Sequence, residues 1–515
     1  MKRKLMLILL ILSFFCNMGS SNTVTVRTIK VLVIEIDPLL RIQQGLRASR
    51  HISLNPEVEV DNLVNDIKYV SHGNVNVRIV KKEHFDGFPK FTQHITVKGG
   101  AIRDRLDENT WLDIMKDGWG KHEESPYYKA LPPNIYDYEE VIQRFDLINR
   151  RNKGEFDEVW LVSVAPIQAY DSVMVGSKAY KLDGPPIIKN CKNFRILHIS
   201  MGKPEANLER FGKAAEIILS NVFGSRFDPN KQNSYTVRDI DDLNPWERFT
   251  LNNYATPGYA AVGTILFAPN SVRERDWQNT STIQSSWRDW QNYPEFSGKT
   301  QDSNYLDWVP ATNQMPVARQ HHRWWFSLIP HVEGRTKDGF SNNWWDYLYM
   351  GDYVTDISPS WRGVQEYQID DQIKLEFDLL YVSGTKEILR VARVEDYDTH
   401  ITITDTNVVR LKNKRLTAHN VGTAVVTVMY DGKKASYEIS VSEKDENPNE
   451  NSNTNTNDEE KQNNTSNEAA ETRKGIDWNT IVLQMSMGLG VVFFGIMVYS
   501  IFKKGKDKEE DMKYK

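Results

Sequence analysis

The chain has 515 residues, 40% of them hydrophobic and 26% charged, with a formal net charge of −5. That supplies enough apolar side chains for packed cores and excludes a wholly disordered or collagen-like chain. The mild acidity argues against a nucleic-acid binder, and two cysteines can build neither a disulfide scaffold nor a cysteine-based zinc site.

Lys2, Arg3 and Lys4 precede an apolar run from Leu5 to Phe15, and small residues follow at Gly19, Ser20 and Ser21. A basic stretch, a short greasy stretch and a small-residue cleavage site predict a secretory signal peptide over residues 1–21. Phe15 stands before Cys16 where lipidation needs a small residue. The mature chain then keeps one thiol, Cys191, which cannot close an internal disulfide and is expected to be buried and inert.

Residues 27–225 alternate strand and helix signals. Ile29–Ile36, Val75–Val80, Val159–Val164 and Arg195–Ile199 read as strands, most of them continuous apolar runs. Val60–Tyr69 and Tyr138–Asn149 read as helices, as does the segment opened by Pro204, with Leu208, Phe211, Ala215, Ile218 and Val222 at three-to-four spacing. Together these predict an α/β domain with a mostly parallel sheet. Ligands of such sheets bind beyond the carboxyl ends of the strands. That nominates Glu35 and Asp37, the segment Ser163–Ser172, and His198–Gly202. Glu35 and Asp37 fall on one side of a strand end, as an acid–base pair, a cation site or a solvated terminus. Asp171 either caps a helix starting near Ser172 or contributes an acid to a site.

Ten of the fourteen tryptophans lie between Trp246 and Trp361. Periodicity is poor there except at Val317–Leu328, a predicted helix. Residues 240–365 are therefore expected to form an irregular Trp-rich lobe on the α/β core, within one domain spanning 22–365. His321 and His322 are neighbours and point about 100° apart on a helix, so they cannot jointly face one metal. No His-Glu-x-x-His occurs, and no metal is expected. The catalytic candidates are Asp37, Asp171, His321 and His322, a histidine acting as general base beside an aspartate. The substrate-binding candidates are Ser172, Trp324, Trp325, Asn343 and Trp344, since aromatic rings stack on sugar faces. The opposing reading makes the tryptophans core. No phosphate-binding glycine loop follows a strand, and no cofactor is expected.

The segments Phe156-Asp157-Glu158-Val159-Trp160-Leu161, Tyr170-Asp171-Ser172-Val173-Met174-Val175-Gly176 and His321-His322-Arg323-Trp324-Trp325 with Asn342-Asn343-Trp344-Trp345 resemble a group of bacterial exported proteins of unassigned activity, over residues 29–350. That group carries Glu before the serine, and Asp171 stands here with the same charge and a shorter reach.

From Asp371 to Ser442 short alternating runs predict a small β-sandwich, with Asp431-Gly432 as a hairpin turn. The run Leu416-Thr417-Ala418, Val421-Gly422-Thr423-Ala424 and Tyr430-Asp431-Gly432-Lys433 resembles a bacterial Ig-like domain of group 2. The resemblance covers 371–442 and implies a spacer or adhesion module without catalytic residues. Residues 443–476 are rich in Asn and Glu with almost no large apolar side chain, and predict a disordered stalk. Ile481–Phe502 is uncharged over 22 residues, about 33 Å as a helix, which is enough to span a bilayer. A transmembrane helix is expected over 478–502. Lys503, Lys504 and Lys506 place the tail, 503–515, in the cytoplasm. The whole predicts a single-pass bacterial surface protein. Its ectodomain is expected to bind a cell-wall or surface polysaccharide, with hydrolysis as a further option; the alternative is a non-enzymatic adhesion or assembly protein that binds another protein.

Overall fold

The computed structural model describes residues 26–97, 100–116, 131–164, 167–240, 242–349, 354–381, 386–391, 401–412 and 415–444. The expected signal peptide, the stalk beyond Lys444, the membrane helix and the tail lie outside the described residues. Among those described, no helix is long and apolar enough to cross a membrane. All of them belong to one compact unit.

The first strand, β1 (Arg27–Ile36), is buried along nearly its whole length. Helix α1 (Pro56–Val70) follows, opened by Pro56 and by the Asn55 side chain, which accepts from the Glu57 amide. Its Val60, Leu63, Ile67 and Val70 pack on the sheet. The chain then forms β2 (Val75–Phe85), the short helices α2 (Tyr138–Arg144) and α3 (Leu147–Asn152), and β3 (Glu158–Ser163). Next come β4 (Ser172–Gly176), β5 (Ile187–Ile188), β6 (Phe194–Ser200) and the long helix α4 (Pro204–Phe223), which stops at Gly224 with φ +63°. The expected single helix over Tyr138–Asn149 is two, because Asp146 turns left-handed at φ +50°.

The strand order is β2-β1-β3-β6-β4-β5. Pairs β1/β2, β1/β3 and β3/β6 are parallel, and β6/β4 is antiparallel. Pair β4/β5 is parallel as well, so four of the five pairings are parallel, as expected, and the sheet is mixed through the β6/β4 pair. The segment 164–171 is too short for the crossover that parallel strands need. The same segment overturns the expected helix start at Ser172, since Ser172 opens a strand. One face carries Val31, Val33, Trp160, Val162, Leu197 and Ile199 against α1 and α4. The other carries Leu32, Ile34, Leu161, Val173 and Ile196 against α2 and α3. From β1 the chain moves outward to β2 and then returns past β1 to β3. The switch point therefore lies between β1 and β3, where Ile36 pairs with Ser163.

The Trp-rich lobe packs on α4. Helix α5 (Val317–Ser327) lays Phe326 against Phe211 at 5.2 Å between ring centroids. Trp246, Trp325 and Trp344 join the same core.

The C-terminal part has its own core. One small sheet contains β7 (Val354–Pro359), β9 (Leu375–Tyr381) and β10 (Lys386–Val391), all antiparallel. The other contains β8 (Gln365–Gln368), β11 (Ile401–Ile403), β12 (Gly422–Tyr430) and β13 (Lys433–Ser442). Residues of β7 already belong to this core, ahead of Asp371. Asp431-Gly432 makes the β12–β13 turn, with Asp431 at φ +45°.

Candidate functional site

At the carboxyl edge of the sheet the candidate acids have separate partners. Asp37 is buried, and its carboxylate accepts the Ser49 amide at 2.8 Å and the Ser49 hydroxyl at 2.6 Å. Those bonds fix the turn after β1. Glu35 is buried beside His84 Nδ1 at 3.2 Å. Burial raises its pKa, and the His84 charge partly opposes.

One strand over, Ser163 Oγ and His198 Nε2 are hydrogen-bonded at 2.8 Å, both buried. Their adjacency follows from the parallel β3/β6 register. Burial and the Arg210 charge push His198 down to about 3, so the ring is neutral. Its Nδ1 has no hydrogen-bond partner among the described residues. A nucleophilic pair needs the base oriented by a third group and a path to substrate. Ser163 is sealed from solvent and, among the described residues, no group hydrogen-bonds His198 Nδ1; as placed, the pair ties two strands together. Ser172 is likewise buried, its hydroxyl unpartnered among the described residues.

Asp171 accepts from Arg210 Nε at 2.7 Å and from Lys213 Nζ at 3.0 Å. Burial disfavours its charge, but the two cations outweigh burial and hold the carboxyl below its usual range. Lys213 also meets Glu209 at 3.5 Å, Glu209 meets Arg275 Nη2 at 2.6 Å, and His322 Nε2 lies 3.9 Å from Glu209. A continuous line of charges on α4 thus joins two sequence candidates, Asp171 and His322. Asp37 is not part of it. Such a cation-held aspartate, its carboxyl held below the usual range, is a poor proton acceptor at neutral pH.

His321 and His322 are fully buried on α5. Trp277 stacks on His321 at 5.5 Å between ring centroids and meets His322 edge-on at 5.0 Å. Burial drives His321 well below its ordinary value, and burial pushes His322 down to about 4. Neither nitrogen of His321 has a hydrogen-bond partner among the described residues. Among those residues no group of three His, Cys, Asp or Glu side chains is placed to hold a metal ion.

The aromatic candidates divide. Trp325 is fully buried, donating from Nε1 to the Gly263 carbonyl at 3.0 Å. Trp344 is fully buried among Phe223, Trp246, Phe249 and Trp290. Both are core in this structure. Asn343 sits at the end of a short strand beside Trp344, its side-chain oxygen buried and unpartnered among the described residues. Trp324 differs. With Trp308, Tyr69, Asp307, Gln320 and Arg323 it walls an open cleft of about 220 Å³. A second cavity, about 270 Å³, lies between the lobe and the C-terminal part, where Arg335, Tyr347 and Asp431 already satisfy one another.

No protein-family model matches this chain, and no curated protein matches it.

Sequence reasoning missed Arg210 and Lys213, which lie on the polar face of α4 opposite Leu208 and Phe211. It also missed Tyr69, Gln320 and Arg323. A guanidinium one residue before a tryptophan on an amphipathic helix was the available signal for the last.

Proposed function

We propose that this chain is a single-pass membrane protein that displays its ectodomain at a bacterial surface, and that the ectodomain binds a surface glycan in the Trp308–Trp324 cleft. The observation that carries the binding reading is the make-up of that cleft. Aromatic walls stand beside Gln320, Arg323 and Asp307, and such mixed concavities suit ligands with an apolar face and polar edges. The display reading is supported by the basic-apolar-small order of residues 1–21 and by the uncharged 22 residues before Lys503. We read the C-terminal β part as an Ig-like spacer, and the Asn-rich segment after it as the stalk.

The reading is for binding, not hydrolysis. Of the acids first considered, Asp37 is engaged by Ser49, and Asp171 by Arg210 and Lys213. Retention of the full-length protein, in detergent, on immobilised cell-wall and capsular polymers tests it. Retention lost in Trp324→Ala and weakened in Trp324→Phe supports the cleft, and no retention on any polymer refutes it. Protease shaving of intact cells tests display: the ectodomain should be cut and the tail protected. Soluble cytosolic protein that retains Met1–Ser21 would overturn it.

A further inference from the structure

We propose that the Trp308–Trp324 cleft recognises an acidic sugar, one pyranose ring bearing a carboxylate, and holds it without cleaving it. This rests on the glycan reading above and adds the ligand's charge, its size and its fate.

The charge comes from unequal sharing around Asp66. Arg319 takes both carboxylate oxygens of Asp66, Nε and Nη2 each at 3.0 Å. Arg323 Nε is left 3.5 Å from the same carboxylate and makes no hydrogen bond. Its Nη1 reaches only the Met315 thioether, at 3.2 Å. The other carboxylate of the cleft, Asp307, is held by Arg288 Nη2 at 3.1 Å and by the Asn304 amide at 3.2 Å. Arg319 and Arg323 thus share the one Asp66 carboxylate, and Arg323 holds the looser share. The guanidinium lies 3.9 Å from the centroid of the Tyr69 ring, which is 63% exposed. Stacked on an open ring, it keeps its donors in one plane for a carboxylate, the geometry in which arginine binds anions in pairs of hydrogen bonds.

The sugar ring follows from two further atoms. Gln320 is 94% buried by its 6% exposure, and its amide nitrogen is fixed by the Met315 and Asn313 carbonyls at 2.7 and 3.2 Å. That fixes Oε1 as an acceptor, and it has no partner among the described residues. Trp324 Nε1 is a donor in the same condition. A buried polar atom without a partner costs about 1–3 kcal/mol. A hydroxyl both donates and accepts, so sugar hydroxyls suit an acceptor and a donor together, which a bare carboxylate does not.

Size and fate follow from the walls. About 220 Å³ is room for one ring within the cleft. Glycoside cleavage uses two carboxyl groups roughly 5–10 Å apart. Among the residues that line the cleft Asp307 is the one carboxylate, and it is already paired.

The test uses full-length protein in detergent and three bead types, displaying galacturonate, galactose or glutarate. Galacturonate beads should retain the protein at least about tenfold better than the other two. Arg323→Gln should abolish that preference with an unchanged circular-dichroism spectrum, and Trp324→Phe, which keeps the ring and loses the donor, should weaken retention several-fold. Equal retention on galactose overturns the acidic ligand and leaves the glycan reading standing. Equal retention on glutarate overturns the sugar ring. Release of free galacturonate from a galacturonate disaccharide overturns binding without cleavage. Retention on no sugar, on these beads or on surface polymers, overturns both readings.

Discussion

Glu158 and Arg195 form an ion pair in the centre of the sheet, with Nε to Oε1 at 3.1 Å, Nη2 to Oε2 at 2.8 Å, and both side chains essentially inaccessible. Trp160 Nε1 also donates to Glu158 Oε1, at 3.0 Å, and the guanidinium sits 4.8 Å from the Phe211 ring centroid. The pair locks β3 to β6 and presents α4 with a cation–aromatic contact. Removing one partner leaves a lone buried charge, so Glu158→Gln should cost about 3–5 kcal/mol. Replacing both with apolar residues of similar volume should cost far less. Urea denaturation of the two variants checks this, and a loss under about 1 kcal/mol in the single variant would refute the burial of the pair.

Stability should fall on mild acidification. Burial holds His198 down to about 3 and His322 down to about 4, and drives His321 well below its ordinary value. Unfolded histidines take up protons near pH 6.5. Between about pH 6.5 and 4 the unfolded chain therefore binds more protons, and each such histidine removes about 1.4 kcal/mol of stability per pH unit. Glu216 opposes this. Burial pushes it up to about 7, so the folded chain keeps a proton that the unfolded chain has released above its ordinary value near 4.5. Glu35 and Glu59, raised by burial, act in the same direction as Glu216. The histidines should still prevail, with a net loss of about 1–3 kcal/mol per pH unit between pH 6 and 5. Urea midpoints at pH 7, 6 and 5 measure it, and His322→Gln should flatten the slope. Constant stability over that range would show that these rings are not buried neutral.

Much of the scaffold could be read from local pattern, and most of the site could not. The strands Ile29–Ile36 and Val159–Val164 are apolar runs whatever their neighbours, and α4 declares itself by Leu208, Phe211 and Ala215. Strand direction left no such trace, because Ser172–Gly176 carries the same side chains beside a parallel or an antiparallel neighbour. Asp171 was visible as an acid, but its cations lie 39 and 42 positions later. Trp324 and Trp325 are adjacent, yet a helix turns them about 100° apart, and only packing decides which one meets the cleft. Arg323 is left the looser share of Asp66 by Arg319, a competition that exists only in three dimensions.

Asp171 is the acid where a structural role and a catalytic role predict opposite outcomes. As the anchor of Arg210 and Lys213, it stabilises the edge of the sheet wherever it is ionised. Its folded pKa is depressed, so that contribution is present above its ordinary value near 3.8 and is lost as pH falls below it. Asp171→Asn leaves two partly buried cations facing an amide and should cost about 1–2 kcal/mol at pH 7, discounted for their partial exposure. Glycan retention should be unchanged, since the cleft lies on other residues. Lost retention with unchanged stability would make Asp171 a ligand contact instead.

Asp431 helps tie the C-terminal β part to the lobe, beside the Arg335–Tyr430 hydrogen bond at 2.6 Å and the Gly432 amide on the Asp338 carbonyl at 2.8 Å. Asp431 Oδ1 accepts from Arg335 Nη1 at 2.9 Å and from the Tyr347 hydroxyl at 2.8 Å, and its Oδ2 accepts the Val354 amide at 3.1 Å. The turn that carries it is held close: a side chain at Gly432 would meet Phe340 at 2.6 Å, and one at Gly339 would meet the Met429 carbonyl at 2.6 Å. Asp431→Ala removes all three acceptances and leaves the buried Tyr347 hydroxyl, which still accepts the Ser341 amide, with no acceptor for its own proton, a cost of about 2–4 kcal/mol. The loss should be local. Hydrogen exchange should accelerate at Val354 and across the β12–β13 turn, while β1, β3 and β6 keep their protection. Asp431→Asn tolerates the left-handed backbone and keeps one acceptor oxygen, so it should lose about half as much. Uniform acceleration across both cores would show that the two parts unfold as one, and no acceleration would show that the three hydrogen bonds do not hold the join.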